Sequence, residues 1–160
     1  MIPYATLFNM LRYAEIKRYD GIWQDWLCMQ IEKDEEIEPW MMCLAENPIE
    51  YDTIFNTRIE KEWVVIADSN DEHPPAFAAG FAWKMYKEGK LTAPEIVTAI
   101  DRYDELLGCH LRAYIISNED DDDYLHMKQS LENNLEDPMK FFEEKLWNLL
   151  PQDTRDLFVK

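Results

Sequence analysis

The chain has 160 residues and a formal net charge of −17, from 33 Asp and Glu against 16 Lys and Arg. Residues 1–80 hold 16 acids and 6 bases and residues 81–160 hold 17 and 10, so the excess is spread along the whole chain. This sign disfavours binding to nucleic acid or anionic lipid, and the 47% apolar and 13% aromatic content disfavours disorder.

Helical spacing dominates the first half of the chain. Apolar residues from Tyr4 to Ala14 recur every three or four positions, and a similar run follows Asp20, which we expect to cap a second helix. A short helix is predicted from Pro39 to Ala45, and the residues from Asn47 to Glu50 resemble the start of a fourth. The β-branched run at 63–67 fits a helix end or a short buried strand, and we prefer helix because no second strand pattern matches it.

Further helices are predicted in the second half. The Ala-rich segment 76–86 is apolar on most sides, which is typical of a central helix, and its Gly80 would allow close contact with a neighbour. A capping box at Thr92 begins the next helix. The apolar segment 109–116 fits a helix better than a strand, although both remain open.

The last predicted helix begins at Asp137, which would cap it, and stops at Pro151. Only four glycines occur in the chain, too few for the turns of most all-β folds. No internal repeat or linker divides it. We therefore predict an all-α fold, a single-domain bundle of roughly seven to nine helices over residues 1–160, with the one short strand at 63–67 as an alternative.

Catalytic and ligand-binding motifs are missing from the sequence. No two glycines are close enough to form a phosphate-binding loop, and no serine stands in a nucleophile elbow. A calcium loop starting at Asp121 would have His126 where the turn requires glycine. The three cysteines, at positions 28, 43 and 109, lie in apolar contexts and are expected in the core rather than in a zinc site. We therefore expect no enzyme activity, no cofactor and no metal.

The expected location is the cytoplasm. Three cysteines do not make a disulfide framework, which indicates a reducing compartment. The N-terminal residues have no basic region followed by an apolar run, as a signal peptide would. No segment reaches the ~18 apolar residues of a membrane span. The oligomeric state is left open.

Two acidic segments are the candidate sites for a basic protein partner. The first segment offers such a partner a run of consecutive carboxylates. The second offers carboxylates beside a tryptophan, a residue type that protein interfaces enrich as an anchor. Trp40 fits equally well as a helix-start residue tucked inside the fold. The candidate residues are Glu119, Asp120, Asp121, Asp122 and Asp123 in the first segment, and Glu35, Glu36, Glu38 and Trp40 in the second.

A small, acidic, Trp-rich all-α domain without catalytic motifs resembles the immunity proteins of bacterial contact-dependent inhibition and polymorphic toxin systems. The resemblance is one of overall character across the chain. It implies an inhibitor that binds a cognate basic toxin, often a nuclease, and occludes its active site. One alternative is a nucleic-acid mimic that acts on restriction or CRISPR machinery, for which regularly spaced carboxylates would be the mark. The other is an uncharacterised enzyme or an adaptor domain.

Overall fold

The computed structural model describes residues 1–46, 53–66 and 73–160 of the chain. All regular structure in these ranges is helical, without a strand, so the predicted all-α bundle is confirmed. They contain nine α-helices, numbered α1 to α9 in chain order, and two 3₁₀ turns. The helices are Tyr4–Ala14, Ile22–Glu32, Pro39–Ala45, Thr53–Ile66, His73–Lys87, Ala93–Tyr103, Glu105–Ile116, Tyr124–Lys145 and Gln152–Val159, and the 3₁₀ turns are Lys17–Tyr19 and Trp147–Leu149.

Helix α5 occupies the centre of the bundle. Every residue from Phe77 to Trp83 is buried, and α5 packs against α1, α6 and α8. Its small alanines let these neighbours approach from several sides, while its aromatic residues fill the space between them. The central position predicted for this apolar segment is therefore confirmed.

Helices α5 and α8 approach each other closely at Gly80. A Cβ at Gly80 would lie 2.2 Å from the Pro138 carbonyl oxygen and 2.9 Å from Phe142 Cβ, so glycine permits this contact as predicted. Pro138 lies inside α8, and the prediction that Asp137 caps a separate last helix is wrong. The helix continues because Leu135 and Phe142, on the same face, are fully buried, and their burial offsets the ~3 kcal/mol cost of an interior proline.

Of the caps predicted at the starts of α6 and α2, the first is confirmed and the second is wrong. The capping box is present in α6, where the Thr92 N–H donates to Glu95 Oε2 at 2.7 Å. The Asp20 cap is wrong, because Gly21 is the N-cap of α2 and makes no side-chain capping bond. Asp20 instead belongs to the preceding 3₁₀ turn, where its N–H donates to the Lys17 carbonyl at 3.1 Å.

The ambiguous segments are resolved as helix wherever the structure describes them. Residues 63–66 end α4, and residues 109–116 form most of α7. The predicted helix start from Asn47 to Glu50 lies outside the described residues. Pro151 does not end α8, which stops at Lys145. It is the N-cap of α9, a helix that the sequence patterns did not predict.

The core contains most tryptophans but not the cysteines. Cys28 and Cys109 are exposed and Cys43 is half-buried, so the prediction of three core cysteines is wrong. Apolar neighbours in sequence do not imply burial, because adjacent residues point to different sides of a helix. Four tryptophans are buried and two are half-buried. The buried ones are Trp26, Trp40, Trp83 and Trp147, and the others are Trp23 and Trp63.

Candidate functional site

The acidic run from Glu119 to Asp123 forms the connection between α7 and α8, and all five residues are exposed. Its backbone is turned back on itself by local hydrogen bonds. The Asn118 N–H donates to Asp121 Oδ2 at 2.7 Å, and the Tyr124 N–H donates to the Asp121 carbonyl at 3.0 Å. The run is therefore a compact cap on the helix pair, with its carboxylates in solvent.

These five carboxylates have no cationic partner in the described part of the chain. Ion pairs elsewhere, such as Arg112 with Asp101 and Lys84 with Glu143, neutralise other acids. Asp121 uses one oxygen for the Asn118 N–H, and no Lys or Arg of the described ranges lies within 4.0 Å of any of the five. Closely spaced, unpaired charges of one sign produce a strong local potential that attracts cations.

Apolar side chains stand on both sides of the acidic run. Ile116 at the end of α7 is 84% exposed, and Leu125 at the start of α8 is 61% exposed. Ile115 is also exposed. We call this surface, made of residues 115–116, 119–123 and 125, the α7–α8 tip. It combines water-accessible apolar area with uncompensated charge, the two properties of a protein interface that has an apolar centre and a polar rim.

A tyrosine pair holds the two helix ends of the tip together. The rings of Tyr114 and Tyr124 stack with centroids 5.0 Å apart, and their hydroxyl oxygens are 3.1 Å apart. This hydrogen bond, with desolvation, raises the pKa of Tyr114 to about 12. Further from the tip, the same two helices are joined where His110 Nδ1 lies 3.2 Å from Ser130 Oγ. The tip is thus presented on a braced helical hairpin, which reduces the entropy lost on binding.

The second acidic segment is partly neutralised by the fold. Glu35 and Glu36 are exposed in the connection between α2 and α3. Glu38 accepts a hydrogen bond from Trp40 Nε1 at 3.0 Å and forms an ion pair with Arg58 at 3.3 Å. A carboxylate engaged in this way offers less free charge to a partner than the α7–α8 tip does.

Trp40 is a core residue, which is the second of its two predicted interpretations. It is 2% exposed, with its ring 5.9 Å from Trp26 and 6.4 Å from Phe55. The Arg58 guanidinium lies 5.7 Å from the centre of its ring. A partner therefore has no access to this side chain, and Trp40 is not a contact residue.

The two acidic segments belong to different parts of the bundle. Helices α2 and α3 pack against each other and against α9 and α4, whereas α7 and α8 pack against α6 and α5. The sequence did not predict that Ile116 and Leu125 would flank the acidic run as exposed apolar residues. The sequence did contain an indication that these two side chains are exposed, because both lie close to five consecutive charges. A short charged connection keeps the adjoining helix ends near solvent.

A buried carboxylate was also missed by the sequence patterns. Glu62 of α4 is fully buried and accepts from the Ala5 N–H at 3.1 Å, the Thr6 N–H at 2.7 Å and the Thr6 hydroxyl at 2.7 Å. It therefore caps the start of α1 from another helix, with Arg58 Nε 3.3 Å away. Burial raises the pKa of Glu62 above its ordinary value, and the opposing effects of its hydrogen bonds and of Arg58 are smaller. Its position on the apolar face of α4, between Ile59 and Ile66, was the indication in the sequence.

Among the described residues, no group of three or more His, Cys, Asp or Glu side chains is placed to hold a metal ion. The calcium-loop hypothesis also fails, because residues from Tyr124 onward are helical. No helix in the described ranges is long and apolar enough to cross a bilayer. In comparisons with known proteins, no family model, curated protein or solved structure matches this chain.

Proposed function

We propose that this chain is an acidic inhibitor that binds a basic protein partner through its α7–α8 tip. The most specific form of the proposal is an immunity protein that neutralises a cognate toxin, such as a nuclease, by occluding its active site. The observation that carries it is a group of five exposed carboxylates, without a cationic partner among the described residues, next to the exposed side chains of Ile116 and Leu125. The net charge of −17 extends the same sign over the rest of the protein.

Electrostatics supports a partner of opposite charge. A nuclease groove is positive because it must hold phosphates, so carboxylates on an inhibitor can occupy it. Complementary charge raises association rates to the order of 10⁸ M⁻¹s⁻¹ at low salt, which suits capture of a lethal enzyme. Buried apolar contacts at the centre of an interface slow dissociation, and Ile116 and Leu125 are positioned for such contacts.

Charge neutralisation at the tip tests the electrostatic part. The variant Asp120→Asn/Asp122→Asn/Asp123→Asn removes three charges and leaves the Asp121 turn intact. We expect it to lower the association rate with the partner by about tenfold and to flatten its salt dependence. The matched control is Glu32→Gln/Glu60→Gln/Glu144→Gln, which removes three exposed charges on α2, α4 and α8. Equal effects of the two triple variants would reduce the role of the tip to that of overall net charge.

Replacing the apolar residues tests the contact itself. Ile116→Ser and Leu125→Ser are expected to speed dissociation while leaving the association rate unchanged, because short-range contacts act after encounter. As exposed positions, both should keep the wild-type unfolding free energy within about 0.5 kcal/mol. Unchanged dissociation rates would remove these side chains from the interface.

The partner is sought among proteins encoded beside this chain. Each is co-expressed with it, captured at low and at high salt, and tested for toxicity that this chain relieves. A basic toxin held most tightly at low salt and neutralised in growing cells supports the proposal. Capture of DNA-processing machinery, with competition by DNA, would replace it with nucleic-acid mimicry. If this chain relieves the toxicity of none of these neighbours, the immunity function is overturned.

A further inference from the structure

A cleft runs beside the C-terminal half of α1, bounded by the Lys17–Tyr19 turn and the start of α2. It has two adjoining compartments, one of about 330 Å³ and one of about 560 Å³, and both are lined by Leu11, Arg12 and Asp20. These volumes lie in the range of small-molecule sites. The cleft shares no lining residue with the α7–α8 tip.

The smaller compartment has aromatic and aliphatic walls that other side chains hold in place. Phe8, Tyr19 and Trp23 line it. The Phe8 ring packs 5.0 Å from the Trp26 ring, and the Tyr19 ring packs 5.2 Å from Phe81. Because the walls are packed from behind, the compartment is preformed for an apolar group.

The larger compartment is polar and is braced across α1 and α6. Arg102 of α6 donates to the Tyr13 carbonyl at 3.2 Å, forms an ion pair with Glu15, and lies 5.3 Å from the centre of the Tyr13 ring. The Tyr13 hydroxyl in turn donates to the Arg102 carbonyl at 3.3 Å. Glu15 and Arg102 thereby neutralise each other and fix the wall.

Three charges in the cleft are left without partners. Arg12, Lys17 and Asp20 line it, and none forms an ion pair or a side-chain hydrogen bond with a described residue. Arg12 and Asp20 border both compartments yet do not come within 4.0 Å of each other. In a chain with twice as many acids as bases, two cations that remain unpaired in one cleft are available to an anionic group.

We propose that this cleft binds a small zwitterion with an apolar side chain, namely a hydrophobic α-amino acid. Arg12 and Lys17 hold its carboxylate, and Asp20 holds its ammonium group at the boundary of the compartments. Its side chain enters the aromatic compartment beside Trp23. Opposite charges on one ligand match opposite, separated charges on the protein, whereas a plain anion would meet repulsion from Asp20.

Titration calorimetry on the full chain tests the charge pattern with three probes of the same shape. L-phenylalanine carries both charges, 3-phenylpropanoate lacks the ammonium group, and 2-phenylethylamine lacks the carboxylate. We expect L-phenylalanine to bind and each analogue to bind at least about tenfold more weakly, because each lacks one charge-assisted contact. Absence of L-phenylalanine binding in the millimolar range, or equal binding of either analogue, would overturn the proposal.

Two variants assign the charges to residues. Arg12→Gln should weaken L-phenylalanine at least about tenfold without weakening 2-phenylethylamine, and Asp20→Asn should weaken L-phenylalanine at least about tenfold without weakening 3-phenylpropanoate. The control is Lys145→Gln at the end of α8, an exposed cation that forms no ion pair with a described residue. All three side chains are exposed, so unchanged melting temperatures confirm the fold. Loss of binding in Lys145→Gln, or its retention in Arg12→Gln, refutes the assignment.

Discussion

Gly80→Ala perturbs a close contact in the core, between α5 and α8. The added methyl would lie 2.2 Å from the Pro138 carbonyl oxygen, whereas ordinary contact begins at 3.4 Å. The obstructing atom belongs to the backbone of a helix, so it has no rotamer with which to move aside. The two helices must therefore separate by about 1 Å at this point or bend around it.

The expected change in the unfolding free energy of Gly80→Ala follows from two opposing effects. Gly to Ala in a helix interior ordinarily stabilises by about 1 kcal/mol, whereas overpacking a core costs about 1–3 kcal/mol or more. Separation also weakens aromatic contacts between the same helices. Phe77 stacks on Phe141 at 4.7 Å between centroids, and Phe81 meets Phe142 edge-on at 5.6 Å. Because the carbonyl is rigid, the cost of overpacking lies near the upper end of this range. We therefore expect the unfolding free energy to fall by about 2 kcal/mol.

Urea unfolding followed by circular dichroism measures this loss. The matched control is Gly21→Ala, since a Cβ at Gly21 meets no atom within 4 Å and the backbone there has negative φ. Because Gly21 is the N-cap of α2, loss of the glycine and the lower entropy of the unfolded chain act in opposite directions, and we expect the control to change the unfolding free energy by less than about 1 kcal/mol. A Gly80→Ala protein as stable as wild type, with an unchanged urea dependence, would refute the close approach of the two helices.

Two further predictions concern ionisation and thiol access. Because burial raises the pKa of Glu62 above its ordinary value of 4.5, its contribution to stability is fully present below that pH and is lost as pH rises through the raised pKa. The unfolding free energy of wild type minus that of Glu62→Gln should therefore fall as pH rises, and a flat difference in urea titrations would contradict this. Cys28 and Cys109 are exposed, so a thiol reagent should modify both quickly in the native protein and Cys43 more slowly. Equal rates for the three thiols, measured by mass spectrometry of peptides, would oppose the described burial.

Local patterns in the sequence predicted several elements correctly because their causes lie within a few residues. The capping box at Thr92 needs only Glu95, three positions away, and it is present. The helix from Pro39 to Ala45 has the predicted bounds, since a proline at the first helical position starts it. The central position of α5 followed from its alanines and aromatic residues, because residues 76–83 contain no polar side chain.

Predictions failed where a distant contact decides the outcome. Pro138 looked like a helix start, yet α8 continues through it because α5 packs on the same face. Cys28 and Cys109 looked apolar in context, but the neighbours that would bury them lie on other sides of their helices. Glu62 lies on the apolar face of α4, but only the packing of α4 on α1 brings its carboxylate to the first N–H groups of α1.

For the candidate surface, too, some properties follow from the sequence and others only from the tertiary structure. Composition and spacing by themselves determined an acidic, helical protein and identified the run from Glu119 to Asp123, because charge and helical period are properties of the chain. Only the tertiary structure decided that no cation of the described residues lies beside this run, that Ile116 and Leu125 flank it in solvent, and that Trp40 is buried. Pairing and burial depend on which distant segments meet, and that is settled when the helices pack.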